Sequence, residues 1–459
     1  MIATRRTFLK ASAGSAFAAG FPAIVPSSVF GAAAPSNRIT IGAIGVGRIS
    51  RGHDMPGVLQ FTGVAGRDNR IVAVCDLSEE RVKLGQQYVD DAYTKKLGKP
   101  YTGTRGYSDY RELLANQEID AVLISTPDHQ HARLAVAAVT AGKDVYLQKP
   151  ASLTIREGRM MADRVKASGR ILEVGSQQRS WKQFARAVAL VRNGRIGTVQ
   201  RVEIGLPGDP SGGNPQTMPV PQGFNYDAWL GSTPEVPYTV DRVMPEKGFD
   251  RPGWLRMEQF GAGMITGWGA HHVDTAHWGM DTEFTGPVEI WGQAQFPTEG
   301  LWNVHGPFKT YGRYANGVVM TISGDFENGI KWIGDKGWIF VCRDTGTTPT
   351  ASLSAPAAPI LPLRASDPKI LDSVIGPSEW QVYTSDDQHG NWLDCIHSRK
   401  APVATAEIGH RACSTCLLHW IAMKTQHRVS WDPKTETIQG DDIAASLLAR
   451  HSRHPYEIV

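Results

Sequence analysis

A pair of glycines near the start of the chain has the spacing of a turn that binds dinucleotide phosphates. Gly45 and Gly47 follow a short apolar segment, residues 39–44, and precede Arg48 and Ile49. Gly45 allows a tight turn, and Gly47 lets the backbone approach a pyrophosphate held on the N–H groups of the next helix. We therefore predict that Gly45, Gly47, Arg48 and Ile49 contact a nicotinamide dinucleotide.

A carboxylate, Asp76, ends the next strand-like segment, residues 70–75. In that position it can accept hydrogen bonds from the adenosine ribose hydroxyls and repel the 2′-phosphate of NADP, so NAD is favoured over NADP. Asp76 lies 29 residues after Gly47, against roughly 20 in the usual pattern. We attribute the excess to a loop over residues 52–68. A purely structural turn capped by Asp76 is the alternative.

Two more polar motifs follow apolar segments, at residues 121–125 and 144–147. Both motifs should lie at the carboxyl edge of a parallel sheet, where open α/β sheets bind ligands. A lysine there can hydrogen-bond a substrate hydroxyl, and partial desolvation would bring its pKa toward the acid–base range. A solvated surface lysine is the alternative. The predicted cofactor contacts from these motifs are Ser125, Thr126, Pro127, His131, Gln148 and Lys149.

A cluster of histidines follows the glycine-containing segment 267–270. A histidine can take the proton of a hydroxyl while hydride leaves the same carbon, so we predict His271 as catalytic together with Lys149. His272 and Asp274 are predicted substrate contacts. The alternatives are a helix start with buried histidines and a zinc site. Because the spacing matches no recognised zinc pattern, no metal is predicted.

These motifs need a scaffold in which strands and helices alternate. Apolar segments at 39–44, 70–75, 121–125 and 144–147 are separated by helix-like segments, as in a parallel sheet. Beyond residue 150, longer strand-like runs are separated by loops rich in glycine and proline. We predict an α/β chain: a Rossmann doubly wound parallel sheet over residues 37–153, then an α/β domain with a large, mostly antiparallel open sheet over residues 154–459.

Together the four motifs resemble the Gfo/Idh/MocA family over residues 37–459. The resemblance implies a nicotinamide cofactor, a carbohydrate substrate, a homo-oligomer formed through the C-terminal sheet, and catalysis by Lys149 and His271. Gln148 stands where the family usually has Glu, and Gly267 stands where it usually has Asp, four residues before the catalytic histidine. His271 therefore lacks its usual carboxylate partner, a place that Asp274 or His272 could take.

Composition adds exclusions. The 459 residues suit two domains, and a net charge of +3 gives no electrostatic case for nucleic acid or an anionic membrane as partner. The odd count of five cysteines argues against a disulfide framework. Cys413 and Cys416 fit core packing in a helix better than a redox or metal pair.

Three classes of function stay open at this point. The first is an oxidoreductase acting on a sugar or cyclitol hydroxyl. The second is a redox-neutral, NAD-dependent glycosidase or lyase that oxidises the sugar transiently. The third is a non-catalytic sugar-binding protein, against which the presence of both Lys149 and His271 argues.

The first residues have the parts of an export signal. Arg5 and Arg6 precede a moderately apolar segment, residues 11–25, and small residues follow, with Ala32 and Ala34 at a cleavage-like site. The segment is too short and too polar to span a bilayer. We predict a twin-arginine signal peptide over residues 1–34, periplasmic location, no membrane association after its removal, and a tightly held cofactor.

Replacing both Arg5 and Arg6 with lysine should block export, because the twin-arginine pathway reads these two side chains. The measurement is the fraction of protein in the periplasm, with the unaltered chain as control. Unchanged export of the doubly substituted chain would contradict the assignment of a twin-arginine signal.

Overall fold

The computed structural model describes residues 38–243, 253–343 and 361–458. The predicted signal peptide lies outside these residues, as does most of an alanine- and proline-rich stretch after residue 343. Two sheets dominate the described residues, one of six strands and one of nine. Among the described residues, no helix combines the length and apolar character needed to cross a bilayer.

The first sheet is entirely parallel and has the strand order β3-β2-β1-β4-β5-β6. Every residue of β4 and β5 is buried, as expected for strands covered on both faces. Its strands are β1 (Ile39–Ile44), β2 (Asn69–Cys75), β3 (Arg105–Tyr107), β4 (Ala121–Ile124), β5 (Asp144–Leu147) and β6 (Leu172–Val174). This sheet confirms the predicted doubly wound parallel architecture.

Helices connect these strands, and their ends follow local sequence signals. The second helix begins after Ser78, whose hydroxyl accepts a hydrogen bond from the Arg81 amide, and it ends at Gly98 in the left-handed region. The helices are α1 (Met55–Leu59), α2 (Glu79–Leu97), α3 (Tyr110–Ala115), α4 (Asp128–Thr140) and α5 (Ile155–Ser168).

The segment after the glycine turn differs from its prediction. A loop was expected over residues 52–68, but a π-helical turn, Ser50–Asp54, continues directly into α1. Met55 and Val58 are fully buried in the core, which explains why this segment is helical. The helical turn also buries the side chain of Asp54.

The second sheet has the order β13-β12-β11-β7-β10-β9-β8-β14-β15. Its neighbouring strands are antiparallel except β7 and β10, which confirms a mostly antiparallel sheet. Its strands are β7 (Val199–Gly205), β8 (Glu289–Ala294), β9 (Phe308–Arg313), β10 (Val319–Ser323), β11 (Gly329–Gly334), β12 (Trp338–Val341), β13 (Leu363–Ala365), β14 (Val429–Asp432) and β15 (Thr437–Gln439).

Helices of the second domain pack on one another and on this sheet. A methyl group at Gly279 of α9 would meet the Trp332 ring of β11 at 2.7 Å, so helix and sheet approach closely there. The remaining helices in chain order are α6 (Lys182–Arg192), α7 (Tyr226–Leu230), α8 (Met264–Gly267), α9 (Gly269–Met280), α10 (Pro368–Leu371), α11 (Gln388–Ser398), α12 (Ala406–Thr425) and α13 (Asp442–Ser446), of which α11 packs on the first domain. Both cysteines of α12, Cys413 and Cys416, are buried free thiols.

The first domain draws on residues beyond the predicted boundary at residue 153. Strand β6 pairs with β5 in the parallel sheet. Helix α11 returns from far along the chain, and its Trp392 meets the Tyr146 ring edge-on at 5.8 Å within the same apolar cluster. The parallel sheet and its covering helix thus use segments at 172–174 and 388–398.

Glu173 of β6 is fully buried, and neither of its carboxyl oxygens has a hydrogen-bond partner among the described residues. Burial raises its pKa well above the ordinary 4.5. The carboxyl group therefore stays neutral in the folded protein at pH values where the unfolded chain ionises it. The free energy of unfolding is therefore highest at pH values below the pKa that Glu173 has in the unfolded chain. It decreases as the pH rises from that value toward the higher pKa of Glu173 in the folded protein.

Glu173→Gln should remove this pH dependence. The free energy of unfolding of the variant, relative to that of the parent, should be nearly unchanged at pH 4. The difference in favour of the variant should then grow by up to about 1.4 kcal/mol for each unit of rising pH. Urea unfolding between pH 4 and 8 measures it, with Glu118→Gln, an exposed position, as control. A gain that does not change with pH would contradict the neutral carboxyl.

Candidate active site

The carboxyl ends of β1, β2 and β4 open into a cleft of 720 Å³. Gly45, with φ of 83°, donates its N–H to the Cys75 carbonyl at 2.8 Å. A methyl group at Gly45 would meet the Ser125 carbonyl oxygen at 2.8 Å, so only glycine fits this turn. The predicted cofactor residues that line the cleft are Gly45, Gly47, Arg48, Ile49, Asp76, Ser125, Thr126 and Pro127.

Asp76 faces this cleft and also fixes the turn. Its carboxylate accepts hydrogen bonds from the Val46 amide at 2.8 Å and the Ser78 amide at 3.1 Å. These two bonds are those expected of a structural, capping Asp76, and the ribose contact stays a prediction. Two carboxylate oxygens have more acceptor sites than these bonds use, so ribose hydroxyls can still bind there.

The cleft suits a dinucleotide. Gly45, in the turn after β1, has no room for a side chain, and the Asp76 carboxylate lies at the end of the neighbouring strand β2. The Thr126 hydroxyl is buried at the same edge and has no partner among the described residues. These residues would hold the phosphates and ribose of a nicotinamide dinucleotide.

Lys149 lies beyond this cleft and bridges the two domains. It follows β5, and its ammonium group donates a hydrogen bond to the Gly267 carbonyl oxygen at 3.1 Å. Gly267 ends α8, next to the helix that carries His271. Lys149 and the His271 segment, far apart in sequence, are therefore adjacent in the structure.

His131 and Gln148 do not line the 720 Å³ cleft. Burial lowers the pKa of His131 to about 4, so its neutral ring donates through one nitrogen only. Its two nitrogens lie 2.6 and 2.8 Å from the Pro150 and Thr126 carbonyl oxygens. His131 thus supports the cofactor edge from behind, and Gln148 donates to Asp54 at 2.8 Å.

His271 is a buried, neutral imidazole. Burial lowers its pKa well below the ordinary value, and the charges of Arg343 and Lys149 act in the same direction. Its Nδ1 atom has no hydrogen-bond partner among the described residues. The carboxylate missing at Gly267 is therefore not replaced at that nitrogen.

His272 and Asp274 are engaged elsewhere. His272 Nε2 lies 2.7 Å from the Asn328 side-chain oxygen, and burial lowers its pKa to about 3. Both oxygens of Asp274 accept hydrogen bonds from the Arg179 guanidinium at 2.8 Å, and both side chains are almost fully buried. Neither residue is hydrogen-bonded to Nδ1 of His271, so neither takes the place of the usual aspartate there.

The histidines and the aspartate at residues 271–277 do not converge on a common zinc site, because several of them have separate hydrogen-bond partners. His277 Nε2 lies 2.6 Å from the Tyr314 hydroxyl, while His272 and Asp274 have the separate partners described above. Within the described residues, the histidines and carboxylates that do converge are His53, Asp54 and His389, whose possible ligand atoms lie within 4.8 Å of one another.

Sequence reasoning missed this second group, although His53 and Asp54 directly follow the glycine turn. Asp54 is fully buried, and its hydrogen bonds to His53 and His389 and their charges lower its pKa despite burial. The side chain of His53 is 40% exposed and lies near Arg343. The available signal is that His53 and Asp54, both capable of acid–base chemistry, stand at the start of the extra residues between Gly47 and Asp76.

Arg343 was also missed. Its guanidinium lies 4.8 Å from the Trp268 ring and 5.3 Å from the Trp181 ring. Burial lowers its pKa to about 10, so it remains charged at neutral pH. It influences the protonation of His53 and His271 alike, which places these three side chains in one neighbourhood.

Comparison with solved structures supports the same fold. The aldose–aldose oxidoreductase from Caulobacter crescentus aligns with 86% of this chain and 99% of its own, at a TM-score of 0.57 and 19% identity. The WlbA dehydrogenase from Bordetella pertussis, in complex with NADH and UDP-GlcNAcA, aligns over the same shares at a TM-score of 0.58 and 17% identity. At these identities the likeness is one of fold.

The curated relatives align with a shorter part of this chain than the solved structures do. Myo-inositol 2-dehydrogenase of Thermotoga maritima is 30% identical over 158 residues, which are 34% of this chain and 42% of the relative. A glycosyl hydrolase family 109 protein of Shewanella pealeana is 34% identical over 137 residues, 30% of this chain and 28% of the relative. The alignments thus span less than half of each relative.

The match to a family model is confined to the first domain. The model is GFO_IDH_MocA, described as an oxidoreductase family with an NAD-binding Rossmann fold, and it covers residues 39–176. The interval begins at β1 and ends just after β6, so it contains all six strands of the parallel sheet. Residues 39–176 therefore match the model of an oxidoreductase family with an NAD-binding Rossmann fold, and the six-stranded parallel sheet of this chain agrees with that fold.

Proposed function

We propose that the chain is an exported oxidoreductase that oxidises one hydroxyl of a sugar or cyclitol with a tightly bound NAD. The observation that carries the proposal is the hydrogen bond from Lys149 to Gly267, at 3.1 Å. It joins the cofactor edge of the first domain to the segment that carries His271. A hydroxyl-bearing carbon held between them would lie beside the nicotinamide, which accepts hydride when bound.

Relatives support a carbohydrate substrate. Inositol 2-dehydrogenases from Thermotoga and Salmonella match about a third of this chain, and the solved neighbours include an aldose–aldose oxidoreductase. Lys149, as a cation, would hold the substrate oxygen and stabilise negative charge developing on it. The neutral His271 would accept a hydrogen bond from the same or the neighbouring hydroxyl.

A second candidate is a redox-neutral glycosidase or lyase. The observation that favours it is the 34% identity to a glycosyl hydrolase family 109 protein. In this route the sugar is oxidised, a bond beside the new carbonyl is eliminated, and the hydride is returned. Export also favours a cofactor that is regenerated in place.

The experiment that separates these functions begins with the folded protein purified from the periplasm. Bound cofactor and its redox state are measured first, and a panel of sugars and cyclitols is then added. Reduced cofactor that accumulates with one sugar supports the oxidoreductase. Cleavage of a glycoside without net reduction supports the second candidate, and absence of bound NAD would overturn both.

We also propose that copies associate through the open face of the nine-stranded sheet. Trp291 and Tyr311 stack there at 5.3 Å on neighbouring strands, and both are only partly buried. Aromatic side chains are enriched at interfaces. The mass of the protein in solution, measured by light scattering, would overturn this proposal if it equals that of one chain.

Asp76→Ala should weaken NAD binding by about 1–3 kcal/mol, because a charge-assisted hydrogen bond to ribose is lost. Discrimination against NADP should also fall. Titration of cofactor-free protein with each dinucleotide measures both effects. Asp76→Asn is the matched variant: it keeps an acceptor for the Val46 amide but removes the charge, so NADP binding should improve with little loss of the turn.

NADP binding as tightly as NAD in the parent would contradict a ribose contact by Asp76. Equal loss of both dinucleotides in Asp76→Ala and Asp76→Asn, with lowered thermal stability, would indicate a structural role only.

Lys149→Ala should lower the rate of cofactor reduction by roughly 10²–10⁴-fold, the usual loss for a positioned acid–base or charge-stabilising group. His271→Ala should lose less, because its Nδ1 atom has no orienting partner. Single-turnover absorbance of the bound cofactor measures both rates, with NAD content determined on each sample. His427→Gln, at a half-exposed position outside the site, is the control.

A Lys149→Ala variant that keeps the parental rate with full NAD content would contradict the proposed role of Lys149.

A further inference from the structure

We propose that His53, held by Asp54, is the side chain that accepts the proton of the substrate hydroxyl. The inference rests on the proposed function, because it names the base of that reaction. It assigns to a histidine–carboxylate pair from the first domain the task that the family resemblance gives to His271.

The carboxylate of Asp54 is fully buried and is the centre of a hydrogen-bond network. One oxygen accepts from His53 Nδ1 at 2.9 Å and from Gln148 Nε2 at 2.8 Å, with His389 Nε2 at 3.4 Å. The other oxygen accepts from the Ser125 hydroxyl at 2.6 Å. A buried carboxylate with this many donors keeps its negative charge and a fixed position.

The network is anchored at the cofactor edge. Ser125 follows β4 and lines the cofactor cleft, and Gln148 follows β5 directly before Lys149. Asp54 is therefore tied to both strand ends at which the nicotinamide half of the cofactor is expected. The π-helical turn that ends at Asp54 begins three residues beyond Gly47.

The network also explains the glutamine at residue 148. The side-chain nitrogen of Gln148 donates to Asp54 at 2.8 Å. A glutamate in the same place would bring a second carboxylate against the first, which is costly unless one of them is protonated. The carboxylate that the family usually has at position 148 is thus supplied here by Asp54.

His53 is oriented for proton transfer. Its Nδ1–H donates to the acceptor-only carboxylate, which leaves the Nε2 lone pair for a substrate proton. Its side chain has 40% exposure, whereas those of Asp54 and His389 are at 0% and 5%. Among the three side chains, His53 is therefore the one that an incoming ligand can reach.

The electrostatic environment agrees with this geometry. Burial lowers the pKa of His53, but the hydrogen bond and charge of Asp54 outweigh it, so the pKa is raised overall. Arg343 lowers this pKa and Asp387 raises it, while His389 lies with its ring 5.2 Å away. His271, by contrast, has its pKa lowered well below the ordinary value and has no carboxylate partner.

The proton step balances with the cofactor as oxidant. The hydroxyl O–H bond breaks, its proton goes to Nε2 of His53, and the electron pair left on oxygen forms the C=O bond as hydride leaves the carbon for NAD⁺. The imidazolium that results is stabilised by Asp54, and Lys149 stabilises the oxygen. The products are a ketone or lactone, NADH and one proton, released later from His53.

The test compares His53→Gln and Asp54→Asn with the parent. His53→Gln should slow single-turnover cofactor reduction by roughly 10²–10⁴-fold, with NAD content unchanged. Thermal stability should fall only modestly, because the buried Asp54 carboxylate keeps Gln148 and Ser125 as donors. The parent rate should fall at low pH as His53 becomes protonated. This acidic limb should disappear in His53→Gln and move to lower pH in Asp54→Asn, since Asp54 raises the pKa of His53.

A second measurement does not depend on turnover. Titration of the histidine ring signals by NMR in the parent, with His53→Gln used for assignment, gives the pKa of His53 directly. This value should fall in Asp54→Asn. A His53 pKa that Asp54→Asn leaves unchanged would overturn the pairing even if that variant is inactive through misfolding of the network.

Three outcomes are distinguished. An active parent whose rate and pH profile are retained in His53→Gln overturns the proposal while leaving the proposed function in place. A parent that holds no NAD and oxidises no sugar overturns both. A stoichiometric divalent metal in the purified protein, lost in His53→Gln together with activity, would replace the proton-accepting role by a metal site at His53, Asp54 and His389.

Discussion

The ion pair between Arg179 and Asp274 fixes the second domain to the first. Arg179 follows β6 of the parallel sheet, and Asp274 lies on α9, the helix that begins two residues before His271. The same guanidinium also donates to Glu283 and to the Val403 carbonyl. Removing one partner of such a buried pair costs about 3–5 kcal/mol. The position of His271 relative to the cofactor edge therefore depends on this contact.

The hydrogen bond from Lys149 to the Gly267 carbonyl orders the lysine side chain only because the neighbouring helix α9 is held in place. A lysine side chain has many rotamers, and a hydrogen bond to one backbone carbonyl orders it only if the carbonyl itself does not move. Arg179 holds α9 from one side, and the close approach of Gly279 to Trp332 holds it from the sheet. Lys149 and His271 thus come from two domains that are joined by these contacts.

Local sequence patterns predicted the parts of the fold in which neighbours in sequence are neighbours in space. Strand β1, the turn at Gly45 and the strand end at Asp76 follow from apolar runs and glycine spacing, and the match over residues 39–176 agrees with them. A helical segment at residues 50–59 stands where the local pattern predicts the start of a loop over residues 52–68, because the core contacts of Met55 and Val58 are tertiary.

The candidate site was predictable where it follows strand ends and hidden where it depends on distant pairs. His389 is 335 residues from Asp54, and no periodicity in the sequence relates the two. The same holds for Asp274, which is three residues from His271 in sequence but whose carboxylate binds Arg179, 95 residues away. Side-chain partners of this kind become visible only when the two domains are placed together.

The return of α11 to the first domain has a consequence for biosynthesis. Tyr146 belongs to the apolar cluster that Trp392, Leu393 and Cys395 complete. While the ribosome is still making the second domain, that face of the parallel sheet stays uncovered, although N-terminal domains generally fold first. The nascent first domain therefore exposes an apolar, aggregation-prone surface until about nine-tenths of the chain has been translated, and a chaperone that binds that surface would have to leave before α11 docks.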